Sequence, residues 1–183
     1  ANDNKWASFQ YRYVWTGGDT NWTDSFIMPR ESKYLLAFAV PGVPPASVQF
    51  EVKDVAWKNS SGALRERFEI LRDGVIVTSS VFVPNVNKEV TGTHDSGVEF
   101  VVNNNSPFNL QDIPFTIIIT NGQTITAVNR ATVATLQLGE ERRVRTRWFR
   151  VVAGGQAIVT PDANFFDDTI IAAFSEQVLD ETL

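Results

Sequence analysis

The sequence contains no cysteine, and His94 is its only histidine among 183 residues. The lack of cysteine excludes disulfides, thiolate metal sites and thiol nucleophiles, and a single imidazole excludes a histidine-rich metal centre. No apolar run approaches the roughly 20 residues that a membrane-spanning helix needs. Without these residue types we expect no enzymatic activity, no cofactor and no membrane span.

The chain also has no excess of basic residues. The chain has 16 lysines and arginines against 21 aspartates and glutamates, which gives a net charge of -5 and a pI of about 4.9. Nucleic-acid binding depends on many basic contacts to phosphate, and an acidic total does not favour it. We therefore expect no nucleic-acid partner.

The sequence is rich in alternating runs of Val, Ile, Thr, Phe and Trp. Gly, Pro, Asn and Asp separate these runs at spacings of about 8–12 residues, which is typical of a β-sandwich or barrel. The runs are SFQYRYVW, SVQFEVKDVAW, RFEIL, VIVTSSVFV, VEFVV, IPFTIIIT and RATVATLQL. Asp73-Gly74 and Asn121-Gly122 lie between such runs and predict hairpin turns. No segment keeps a helical period over ten residues, so the sequence predicts an all-β fold.

A weak internal repeat indicates how the strands are organised. Residues 26–40 align with residues 136–150, and each copy has a strand end, a Pro or Gly turn, a charged corner and a long strand. The number of residues between the two copies is about the length of one immunoglobulin-like domain. We predict two tandem immunoglobulin-like antiparallel β-sandwich modules, at residues 1–60 and 61–183. The strand before the second copy has no counterpart in the first, so the first module is expected to lack its leading strand.

A sheet that lacks a strand has an edge that accepts a strand from a partner. The tail DDTIIAAFSEQVL, residues 167–179, is apolar enough to supply one to a neighbouring copy. Ile170, Ile171 and Phe174 are then interface residues. The same tail can instead be the last strand of its own module, and this second interpretation is the one that we favour.

Two segments resemble known modules. Residues 101–149, VVNNNSPFNLQDIPFTIIITNGQTITAVNRATVATLQLGEERRVRTRWF, resemble the extracytoplasmic immunoglobulin-like modules grouped as FxLYD or CARDB-like. Residues 26–61 resemble the partner module found upstream in surface proteins of small-genome bacteria. The resemblance implies an envelope-facing protein. We expect a non-enzymatic structural or assembly protein outside the cytoplasm, homopolymeric or filament-forming through strand complementation, with copies of itself or envelope proteins as partners. The alternative is an adhesive module that binds surface glycans or proteins.

His94, Asp95 and Ser96 bring together the residue types of a hydrolytic triad. A triad needs side chains that converge from separate segments, whereas neighbours in an extended chain point to opposite sides. Gly92 and Gly97 flank the three residues, and the stretch predicts a loop rather than a catalytic site.

The segment DANFFDD is rich in carboxylates, and oxygen-rich loops of this kind can hold Ca²⁺. The candidate metal ligands are Asp162, Asp167 and Asp168. The segment lacks the 12-residue loop with a glycine and a closing glutamate, and aspartate is also an ordinary turn residue. A calcium site and a plain turn both remain open.

Four tryptophans suggest two different roles. Trp15 and Trp22 flank the loop TGGDTN and form a candidate platform for stacking on a sugar. Trp57 and Trp148 end long alternating strands, where packing in the core is the stronger expectation.

The last candidate surface is a row of arginines. Alternation places Val144, Thr146 and Trp148 on one side of a strand and Arg143, Arg145 and Arg147 on the other. The corresponding inward set in the first repeat copy is Tyr34, Leu36 and Phe38. Glu99 is a candidate cross-strand partner for the arginines. We predict a charged outer face, which can also serve as an interface with an acidic partner.

Overall fold

The computed structural model describes residues 5–29, 31–38, 45–84, 95–148 and 151–172. The all-β prediction is confirmed, since these residues form antiparallel sheets and a single α-helix. The chain divides into two compact units, Ala1–Glu66 and Arg67–Leu183. That each predicted module is immunoglobulin-like stays a prediction.

The first unit contains one antiparallel sheet built around a long central strand. Its strands are β1 (Lys5–Trp15), β2 (Gly18–Asp19), β3 (Thr23–Ile27) and β4 (Gln49–Asn59). Strand β1 pairs with β2 and β3 along one side and with β4 along the other. The runs SFQYRYVW and SVQFEVKDVAW are therefore strands, as their alternation predicts.

The predicted repeat fails in this unit. Residues 31–38 should form a strand that matches the arginine strand, but they contain no regular secondary structure. Tyr34 and Phe38 of the predicted inward set are about half exposed. The hydroxyl of Tyr13 donates to the carbonyl of Leu35, and the hydroxyl of Tyr11 donates to the carbonyl of Leu36. The segment therefore lies against side chains of β1 instead of pairing with a strand.

The second unit contains two three-stranded antiparallel sheets. Its strands are β5 (Val75–Val83), β6 (Ser96–Asn104), β7 (Leu110–Asn121), β8 (Thr124–Leu136), β9 (Glu141–Trp148) and β10 (Gln156–Pro161). One sheet has the order β5-β6-β9 and the other β10-β7-β8. The predicted turn at Asn121-Gly122 is confirmed, because Asn121 pairs with Thr124 across it and Gly122 has a φ of 59°.

The core of the second unit lies between these two sheets. Alternate side chains of the two central strands are fully buried: Val98, Phe100 and Val102 from β6, and Ile113, Phe115, Ile117 and Ile119 from β7. The rings of Phe100 and Phe115 approach to 5.3 Å between the sheets. Trp148 is also buried, as predicted. The central strands thus supply the fully buried centre of the core, and burial of this apolar area stabilises the unit.

The run RFEIL is a helix and not a strand, and the predicted hairpin at Asp73-Gly74 is wrong. Helix α1 covers Ala63–Gly74, and Phe68 and Leu71, three residues apart, are its buried apolar side chains. The ring of Phe68 stacks on Phe166 at 4.4 Å. Gly74 ends the helix where a β-carbon would lie 2.7 Å from the backbone nitrogen of Ser106. Tertiary packing therefore decides the conformation of this stretch.

The side chain of Asn104 joins three segments of the second unit. This residue is completely buried, and its Nδ2 donates to the carbonyls of Phe108 (2.8 Å), Leu136 (3.0 Å) and Gln137 (3.1 Å). Its Oδ1 accepts from the backbone nitrogen and the hydroxyl of Ser106, at 3.0 and 2.7 Å. One carboxamide thus holds the end of β6, the turn before β7 and the end of β8 together.

Asn104→Ala is expected to lower the free energy of unfolding by about 2–4 kcal/mol, since it leaves several buried polar groups without partners. Urea denaturation measures this loss. Asn105→Ala is the matched control, because the Asn105 side chain is exposed, and it should change stability by less than about 0.5 kcal/mol. Equal effects of the two substitutions would contradict the role given to Asn104.

Candidate assembly surfaces

Strand β4 is a long sheet edge. It pairs with β1 over nearly its whole length, and no other strand of the described residues pairs with it. The opposite edge of the same sheet is made of β2 and β3, which have two and five residues. An edge of eleven residues leaves a row of backbone N–H and C=O groups able to pair with another strand.

The second unit covers its sheet edges. The hydroxyl of Ser80 in β5 donates to the carbonyl of Ala157 in β10 at 2.8 Å. At the other side, Nε1 of Trp148 in β9 donates to the carbonyl of Val128 in β8, also at 2.8 Å. In each case an edge strand of one sheet contacts an edge strand of the other.

The edge strand β4 is also unusually apolar for an exposed strand. Four large apolar side chains along it are between 45% and 66% exposed: Phe50, Val52, Val55 and Trp57. The prediction that Trp57 packs in the core is therefore wrong. It lies near the end of β4, at the margin of the sheet, where no layer of the described residues covers its side chain.

A bulge divides β4 into two parts. The pairing with β1 shifts between Ser8 and Gln10, and Asp54 has a φ of 53°. The sequence carries the signal, since its apolar residues fall at even positions up to Val52 and at odd positions from Val55. Bulges and lysines such as Lys53 are devices that limit uncontrolled pairing of sheet edges.

Aromatic rings cover one face of the first unit. The ring of Phe50 lies 5.6 Å from Tyr13 and 6.1 Å from Tyr11, and the two tyrosines are 5.9 Å apart. Val52 pairs with Tyr11 and shares their face. Burial, followed by the proximity of Tyr11, raises the pKa of Tyr13 above its ordinary 10.0. The exposed apolar side chains of β4 thus lie next to the packed cluster of Tyr11, Tyr13 and Phe50.

The opposite face of this sheet carries charges around Trp22. The guanidinium of Arg12 lies 4.7 Å from the centre of the Trp22 ring, and the ammonium of Lys53 lies 4.4 Å from it. Arg12 also pairs with Glu51 at 2.7 Å. Trp15, the other residue of the predicted sugar platform, is half-buried and pairs with Gly18 in the adjoining turn. The Trp22 ring is therefore already in contact with two cations.

The arginine row lies where the alternation predicts. Arg143, Arg145 and Arg147 are exposed on β9, and Val144, Thr146 and Trp148 point toward the other side. Glu99 pairs with Arg145 in register and forms an ion pair with it, which confirms the predicted partner. An exposed pair of this kind contributes little stability, so the row is an outer charged face.

The three candidate calcium ligands each have a protein partner. Asp162 accepts from the hydroxyl of Thr116 at 3.3 Å and from Arg130 at 3.2 Å. Asp167 caps a short 3₁₀ helix, Asp168–Ile170, by accepting from the backbone of Thr169. Asp168 forms an ion pair with Arg67. Among the described residues, no three acidic or histidine side chains form a group that could hold a metal.

The described part of the tail packs within its own unit. Ile170 is buried, Ile171 forms an isolated bridge with Leu110, and the nitrogen of Ala172 donates to the carbonyl of Asn109 at 2.8 Å. Phe174, the third interface residue predicted in the tail, lies outside the described residues.

The loop predicted at His94, Asp95 and Ser96 is only partly described, because His94 also lies outside these residues. Asp95 and Ser96 are buried. The hydroxyl of Ser96 accepts a hydrogen bond from the backbone nitrogen of Val152 at 2.9 Å. Ser96 is the first residue of β6, and its hydroxyl helps to hold the segment before β10 in place.

The raised pKa of Tyr13 predicts an alkaline transition. The fold favours the neutral phenol, so its contribution to stability is full below pH 10.0 and is lost as the pH rises above that value through the folded pKa. Titration of the phenolate absorbance should show a component with a midpoint above 10.0 that disappears in Tyr13→Phe. If the component that Tyr13→Phe removes has its midpoint at or below pH 10.0, the burial argument is contradicted.

Comparison of the chain with family models, with curated proteins and with solved structures found no match. The resemblance to FxLYD or CARDB-like modules therefore stays a prediction. Within the residues that the structure describes, no helix combines the length and the apolar character needed to cross a bilayer.

Proposed function

We propose that this chain is a non-enzymatic structural protein of the cell surface that assembles by adding a strand at the edge of β4. The observation that carries the proposal is the edge itself: eleven residues, paired on one side and lined with exposed apolar side chains. Long apolar edges are the sites at which sheets accept strands. The location outside the cytoplasm rests on the sequence resemblance.

Strand addition explains two features of the edge together. The backbone groups of β4 would complete their hydrogen bonds with the incoming strand, and Val52 and Trp57 would lose exposed apolar surface. Burying such surface contributes about 25 cal/mol per Å². A sheet edge of this kind is also what a module without its leading strand would present, as the sequence predicts for the first module.

Val52→Lys and Trp57→Lys are expected to shift assembly to concentrations at least roughly tenfold higher, because each places a charge where the incoming strand would bury an apolar group. Light scattering over a concentration series measures the shift. Val81→Lys is the matched control, since Val81 is an exposed valine on strand β5 of the other unit.

The control should assemble like the unchanged chain. If assembly survives both β4 substitutions, the interface lies elsewhere and the proposal is wrong. The proposal is also wrong if the unchanged chain stays monomeric and takes up no strand at β4 from any envelope protein. Hydrogen exchange of the β4 amides, which strand addition must slow, tells these two outcomes apart.

The adhesive alternative is favoured by one observation, the row of exposed arginines on β9. Guanidinium groups bind carboxylates through two parallel hydrogen bonds, so an acidic protein surface is the partner that such a row fits. Replacing Arg143 and Arg147 with glutamate should abolish binding to that partner and leave assembly through β4 unchanged. Salt-independent binding to acidic proteins would contradict this candidate.

A further inference from the structure

We propose that the strand added at β4 is β4 of a second copy, placed antiparallel about a two-fold axis at Val52. This inference rests on the proposed function and names its partner. The charges on either side of Val52 carry it, and the bulge after Lys53 limits how far the regular ladder extends.

The bulge sets the length that can pair. Residues 49–53 follow β1 in unbroken register, from Gln49 opposite Val14 to Lys53 opposite Gln10. Asp54, with its φ of 53°, interrupts the strand directly after them. In a pair centred on Val52, the regular ladder therefore comprises residues 51–53 of each copy, because Phe50 lies opposite Asp54 of the second copy and a bulge disrupts pairing locally.

Charge selects one register among those available. In an antiparallel pair centred on Val52, Glu51 lies opposite Lys53 of the second copy, and Lys53 lies opposite its Glu51. Centring the pair on residue 51 would place two glutamates opposite each other, and centring it on residue 53 would do the same with two lysines. Directly opposed like charges destabilise a sheet and opposite charges stabilise it. A pair centred on Phe50 has no opposed charges of either kind.

The apolar face is compatible with the same arrangement. Val52 lies opposite Val52 of the second copy, and Phe50 lies diagonally next to it, at a distance that an aromatic side chain can bridge. Both side chains share a face with Tyr11 and Tyr13. Two copies in this register would therefore join their aromatic faces into one surface across the new sheet.

Both charged side chains are accessible for the new pairs. The side chains of Glu51 and Lys53 are 41% and 43% exposed, and the ammonium of Lys53 also lies 3.8 Å from Oδ2 of its neighbour Asp54. Oε2 of Glu51 contacts Arg12, and Oε1 remains able to accept from the lysine of the second copy. The contact is self-complementary, so it closes on itself and produces a dimer.

The test uses charge exchange in the full chain. Glu51→Lys and Lys53→Glu each place like charges opposite one another twice, and each should weaken self-association roughly tenfold or more. A mixture of the two variants restores both attractive pairs, so it should form a one-to-one heterodimer with the affinity of the unchanged chain. Sedimentation at low ionic strength, where surface charges are least screened, measures these affinities.

Recovery on mixing also shows that both variants are folded, so a loss of association cannot be attributed to misfolding. The double variant Glu51→Lys with Lys53→Glu should self-associate like the unchanged chain. If neither mixing nor the double variant restores association while Val52→Lys still prevents it, the register is overturned and the edge function stands. If the unchanged chain does not self-associate, the second copy is overturned as the partner.

Discussion

The second unit depends on the buried carboxamide of Asn104. Each buried carbonyl and amide of the turns that meet there needs a hydrogen-bond partner, because an unsatisfied buried group costs about 1–3 kcal/mol. Nδ2 and Oδ1 of this one side chain satisfy groups from three segments. The ends of β6 and β8 are thereby fixed close together, and the two sheets that contain these strands can close around the rings of Phe100 and Phe115.

The two units differ in the sheet edges that they expose. In the second unit, side chains bind backbone groups across the sheet margins, as Ser80 and Trp148 do. In the first unit the polar groups of the sheet are satisfied on one side of β4 only. An apolar edge in this state lowers its free energy by pairing, and the bulge at Asp54 and the charges of Glu51 and Lys53 restrict how it can pair. The proposed assembly through β4 rests on that combination.

Local sequence pattern predicts the structure correctly where it agrees with the tertiary environment. The alternation in VIVTSSVFV and IPFTIIIT predicts strands, and the arginine row and its partner Glu99 follow from a period of two residues. It failed where a short segment is ambiguous. Five residues such as RFEIL suit a strand as well as a helix, and the contact of Phe68 with Phe166, almost a hundred residues away, decides between them.

The all-β class, the position of most strands and the face that each side chain of β9 occupies follow from local alternation and turn residues, so the amino-acid sequence is enough to predict them. Long-range contacts, by contrast, establish that residues 31–38 form no strand, that Trp57 is exposed and that β4 is an edge. An edge is defined by which strands lie beside it, and that is a property of long-range pairing which no local pattern contains.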